Sequence, residues 1–102
     1  KHLKKKFKLI RKNILDRSDV IRTKLDKALD PTEIKVIDES SLHAGHAGSH
    51  DGGESHYRVE VRSSVFIGKS KVERERIIHS LLLEEFSSGL HALSIRARAP
   101  ED

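Results

Sequence analysis

The chain has 102 residues, 35% of them apolar, with no cysteine and no tryptophan. That length supports one domain with a single modest core, built on Ile, Leu, Val and three Phe. Without cysteine the chain alone cannot form disulfides, thiolate nucleophiles or thiolate metal sites, and no apolar run approaches the roughly 20 residues of a membrane span, so no membrane association is expected.

The formal charge of +4 is unevenly spread. Residues 1–12, KHLKKKFKLIRK, hold seven Lys/Arg and no acid, which leaves 13 basic and 16 acidic side chains beyond them, a net of −3. Residues 1–16 therefore read as a basic N-terminal extension to a domain over 17–102. Such a tail can bind nucleic acid or another anionic surface weakly, or stay solvated and frayed. It also fits the remnant of a targeting presequence, being basic, acid-free and without an initial Met. The expected location is then mitochondrial, or cytoplasmic for a bacterial chain.

Asp16 or Ser18 can cap a helix running to about Leu29, with Ile21, Leu25 and Leu29 at helical spacing. Asp30-Pro31 stops it. EIKVIDE then reads as a short strand with Ile34 and Val36 on one face. The stretch SSLHAGHAGSHDGGES, residues 40–55, gathers three of the seven histidines and four of the six glycines. A loop this long in a small domain is usually functional or disordered. HYRVEVRS alternates as a half-buried strand, Tyr57, Val59 and Val61 pointing one way and Arg58, Glu60 and Arg62 the other.

Ser70 and Glu73 form a capping box, so a helix starts near Lys71. Ile77, Ile78, Leu81, Leu82 and Phe86 make its apolar stripe, and the SSG at Ser87 to Gly89 supplies its stop. HALSIRARA is the last strand, with Leu93, Ile95 and Ala97 inward and Arg96 and Arg98 outward. The order α-β-β-α-β predicts an α+β sandwich in which helices cover one face of a three-stranded sheet.

Catalytic motifs are absent. There is no G-x-S-x-G elbow and no P-loop, and Glu84-Glu85 reads as a solvated pair at a helix end, so no enzyme is expected. Metal binding has better material. His43-x2-His46-x3-His50 has chelate-like spacing, and imidazole suits Zn, Cu, Fe and Ni; a merely polar, solvated loop is the competing reading. His91 follows Gly89 at the start of the last strand, which would set a fixed imidazole beside a loop of imidazoles. By itself, His91 reads first as a hydrogen-bonded strand-end residue. A phosphate contact could use Lys69, Lys71, Arg74 and Arg76 at the start of the second helix. Glu73 and Glu75 alternate with them, however, and Tyr57 is the only Tyr or Trp able to stack on a base.

DESSLHAGHAG, GGESHYRVEV, FIGKSKVERERII and SGLHALSIRARAPED follow one another in the order found in the BolA family, which the chain resembles over about residues 17–102. The resemblance implies a class II KH-like fold, a three-stranded mixed sheet covered by helices on one face. It implies an iron–sulfur cluster trafficking or assembly adaptor that shares a 2Fe–2S cluster with a monothiol glutaredoxin. The partner would supply glutathione, and the chain would be a monomer when alone. Some bacterial members are described as DNA-binding regulators, which makes a KH-like nucleic-acid-binding transcriptional regulator the alternative.

The same resemblance implies ligands. The histidine of the family's HAL motif matches His91. The second ligand comes from the loop between the first two strands, where the ES-x-x-HA pattern aligns with Glu39-Ser40-Ser41-Leu42-His43-Ala44. His43 is therefore the first choice, and His46, which repeats the HA, is the reserve. His50 ranks lower, as does His56, which lies on the polar side of its strand. One departure stands out: the family's R-H-R is Arg74-Glu75-Arg76 here, which bears on DNA contact and partner docking but not on the ligands. The composition suits this role. A 2Fe–2S centre needs four ligands, mostly thiolates, and a cysteine-free chain can bring only imidazoles.

Overall fold

The computed structural model describes residues 16–40 and 55–102. The basic tail up to residue 15 and the loop histidines His43, His46 and His50 lie outside the described residues.

Helix α1 spans Arg17–Leu29. Asp16 is its cap, accepting from the Asp19 N–H at 3.1 Å while the Asp19 carboxylate accepts from the Asp16 N–H at 3.3 Å. Two of the donors that every helix start leaves orphaned are thus satisfied reciprocally. Ile21, Leu25 and Leu29 are buried along one face. The helix ends at Asp30, whose φ of 43° places it in the left-handed region, with its N–H on the Asp26 carbonyl. Pro31 follows and cannot continue the turn.

Strand β1, Glu33–Asp38, pairs antiparallel with β2, His56–Arg62. Strand β3, Ala92–Arg98, pairs parallel with β2, so the sheet is mixed and runs β1-β2-β3. A parallel partner cannot be reached by a tight turn. The chain crosses over through a 3-10 turn at Ser64–Phe66, helix α2 at Lys71–Leu81 and helix α3 at Leu83–Ser87. Helix α1 packs on β1 and on α2, and α2 packs on β3. All of them cover the face carrying Tyr57, Val59 and Val61. The α+β architecture expected from the pattern is the one observed, and it is compatible with a KH-like arrangement.

Two local expectations need correction. The apolar stripe from Ile77 to Phe86 predicts one helix, but the chain breaks at Leu82 (φ −113°, ψ 21°), whose N–H bonds back only three residues to His79. Leu82 is wholly buried there, and the break lets Phe86 stack on His79 at 5.1 Å between ring centroids. Glu84-Glu85 is not a solvated pair. Glu85 is only 6% exposed, and Lys24 of α1 reaches both carboxylates, at 2.7 Å to Glu84 and 3.0 Å to Glu85. A buried carboxylate needs a partner, and none within its own helix can supply the charge.

Replacing Lys24 by Met should therefore strand the Glu85 carboxylate and cost about 1–3 kcal/mol. Glu85→Gln in the same background should recover part of it. Urea unfolding of the three proteins measures both terms.

Acid should also act on the fold. Glu84 is held below the usual carboxylate range by its hydrogen bond from Lys24, Glu73 by the Ser70 backbone N–H, and Asp102 by its hydrogen bond from Arg74. A depressed folded-state pKa contributes stability above the unfolded value and loses it as pH falls through the folded one. The melting temperature should be level near neutrality and decline below about pH 4, by little per group because all three are exposed to solvent.

Candidate functional site

The antiparallel and parallel pairings together put the end of β1 and the starts of β2 and β3 at one end of the sheet. Two buried serines organise that end. Ser40 Oγ accepts from the Ser55 N–H at 2.9 Å and the His56 N–H at 3.1 Å, closing the neck of the histidine loop. The Ser55 carbonyl in turn accepts from the His91 N–H at 2.7 Å and the Ala92 N–H at 3.1 Å. Both serines are almost fully buried, so in this neck each polar group has to find a protein partner.

His91 sits just ahead of β3, with its backbone tied to Ser55 and its side chain exposed. The turn before it is anchored from a distance. Arg17 donates to the Glu85 carbonyl at 3.2 Å and to the Ser88 carbonyl and hydroxyl at 2.9 Å each, satisfying carbonyls at the end of α3. Gly89 then turns with φ 128°, a conformation side chains resist, and a Cβ there would meet the Arg17 guanidinium at 3.0 Å. Leu90 is buried next to it. The His91 main chain is therefore fixed from both sides.

His56 comes closer to His91 than its rank in the sequence suggests. The two rings lie edge to face with centroids 6.1 Å apart, and Ser55 Oγ is hydrogen-bonded to His56 Nδ1 at 2.8 Å, which orients that ring. His56 does lie on the polar side of β2, as the alternation indicates. It meets His91 because His56 is opposite Ala92 in the parallel register. No local sequence signal carries that neighbourhood. Glu39, of the ES pair before the loop, is held by Arg58 at 3.1 Å. Among the described residues no three His, Cys, Asp or Glu side chains converge as a complete metal site.

Two of the basic residues around the start of α2 already have partners within the chain. Arg74 is occupied by the Lys69 carbonyl at 2.9 Å, the Ala97 carbonyl at 3.0 Å and the Asp102 carboxylate at 2.5 Å. Lys71 faces Glu75 at 3.7 Å. Arg74 thus pins the C-terminal residues to the helix, a role its spacing in the sequence does not show.

Comparison with known proteins places this arrangement. The profile of the BolA-like protein family matches residues 25–102. The chain is 50% identical over 86 residues to the Arabidopsis thaliana protein named SufE-like protein 1, chloroplastic/mitochondrial, covering 80% of this chain and 23% of that one. It is 46% identical over 80 residues to human BolA-like protein 1, covering 78% of this chain and 56% of that one. It thus spans about a quarter of the plant protein and about half of the human one. Among solved structures, the BolA domain of SufE1 from Arabidopsis thaliana superposes with a TM-score of 0.77 at 48% identity, over 86% of this chain and 96% of that one. The order of strands and helices, the sequence identity and the superposition agree: the chain belongs to the BolA-like protein family.

Proposed function

We propose that this chain is an iron–sulfur adaptor, not an enzyme, that shares a 2Fe–2S cluster with a monothiol glutaredoxin. His91 is one ligand, and His43, or His46 in its place, is the other. The observation that carries the reading is the exposed His91 imidazole on a backbone locked at the very sheet end from which the histidine loop departs. Ser40 lies in the same hydrogen-bonded neck as His91, and a chain extends at most about 3.6 Å per residue. His43, three residues on, can therefore reach about 10 Å from the neck, and His46 about twice as far.

The donor set also supports the reading. Imidazole is an accepted ligand of 2Fe–2S centres, where it raises the reduction potential relative to thiolate. A chain with no cysteine supplies imidazoles and leaves the sulfur ligands to the partner and its glutathione. Within the chain, Ser55 and Arg17 do the positioning, and the His56 ring lies near the His91 ring at a steep angle. The organellar name of the plant relative fits a chloroplast or mitochondrial setting. At α2 the central arginine is already engaged by Asp102, which leaves the nucleic-acid alternative less support there.

Reconstitution of the isolated protein with iron and sulfide, without glutaredoxin, should give a colourless product. A brown species with stoichiometric iron would overturn the shared-cluster reading.

His91→Ala should abolish the visible absorption and circular dichroism of the mixed complex formed with a cluster-loaded glutaredoxin. His43→Ala should weaken or alter them, since His46 lies three residues away. Thermal stability should barely change in either, His91 being an exposed side chain. A wild-type spectrum from His91→Ala would end the proposal.

A further inference from the structure

The sheet face opposite the helices is bare, and its charges are not balanced. Alternation along the strands sets Glu33 and Lys35 of β1, Arg58, Glu60 and Arg62 of β2, and Arg96 and Arg98 of β3 on this face. The register builds cross-strand rows, Glu33–Arg62–Arg98 and Lys35–Glu60–Arg96. Between these rows lies a hollow of about 380 Å³.

Some of these cations are spoken for. Arg58 pairs with Glu39, and Arg62 is held by Glu33 at 3.4 Å and by the carbonyls of Ala99 and Asp102 at 3.0 Å. Arg96 and Arg98 are exposed and make no ion pair or side-chain hydrogen bond among the described residues. Two neighbouring arginines in no ion pair among the described residues, beside a hollow that Glu33 and Glu60 also line, give this edge of the face a surplus of positive charge.

We propose that this open face docks an extended acidic protein segment, with alternate carboxylates seated on Arg96 and Arg98. Residues two apart on one face of a strand are about 6.6–6.8 Å apart, and alternate side chains of an extended peptide repeat at the same interval. Guanidinium is the side chain best shaped to bind carboxylate in two-point fashion, and clustered arginines are a recurrent solution for acidic motifs.

Other occupants fit less well. Glu60 and Glu33 line the hollow. A nucleic-acid strand carries a charge at every nucleotide and would meet them, whereas a peptide can place an uncharged residue there. Bases would also lack a stacking surface, since Tyr57 points into the core and is 2% exposed. A second copy would oppose like charges, and the Lys-rich tail of this chain has the wrong sign. The proposal is independent of the cluster reading: it concerns a different face and needs no metal.

The test is a titration of the isotope-labelled full chain, at low salt, with an octapeptide alternating Thr and Glu. The controls are its Gln counterpart and an oligothymidylate of equal length. Amide shifts are expected in residues 33–35, 60–62 and 94–98 with the Glu peptide. Added salt should weaken them. Arg96→Gln/Arg98→Gln should weaken binding at these amides by about fivefold or more, the tail remaining intact as an internal control. Lys71→Gln/Arg76→Gln should leave it unchanged. Shifts confined to residues 1–12, equal binding of the Gln peptide, or tighter binding of the oligothymidylate at the same amides would each overturn the proposal. So would no shift at all.

Discussion

The parallel pairing of β2 with β3 is the constraint on which the rest of the molecule depends. It requires a crossover, and the only material for it is the segment containing α2 and α3. It forces both strands to start at the same end of the sheet, where antiparallel β1 finishes. Ser40, Ser55 and His91 consequently share one end of the sheet although Ser40 and His91 are far apart in sequence. An antiparallel β3 would have sent His91 to the opposite end.

Buried serines hold both ends of that sheet. At one end Ser40 and Ser55 close the loop neck and pass the constraint to His91. At the other, Ser63 donates to the Leu29 carbonyl at 2.5 Å, accepts from the Val65 N–H at 3.1 Å, and its own N–H bonds to the Arg98 carbonyl at 2.9 Å. It thereby joins the end of α1, the 3-10 turn and the end of β3. Serine suits such sites because it is small and can donate and accept at once. The apolar core supplies the cohesion, and these hydrogen bonds choose which strand ends meet.

Charge is divided by element rather than spread over the surface. α1 reaches across to α3 with Arg17 and Lys24, neutralising carbonyls and carboxylates that the short helix cannot satisfy itself. α2 commits Arg74 to the C-terminal residues. What remains is an acidic-neutralised helical side and an open sheet side carrying surplus arginine. The site at the sheet end and the strip on the bare face are physically separate devices on one scaffold.

The sequence by itself determined the secondary structure wherever the signal lies within a few residues. The i, i+4 spacing of Ile21, Leu25 and Leu29, the alternation through β2 and the caps at Asp16 and Ser70 are local patterns, and each produced the element expected of it. The motifs around Glu39, His91 and the C-terminus were likewise enough to identify the family, because they recur in fixed order. Tertiary structure alone decided the burial of Glu85 and the engagement of Arg74, since each depends on a partner tens of residues away. It alone brought His56 to His91, because a parallel register joins residues that no periodicity links. Local patterns report which face a residue takes; only the folded sheet decides what stands opposite it.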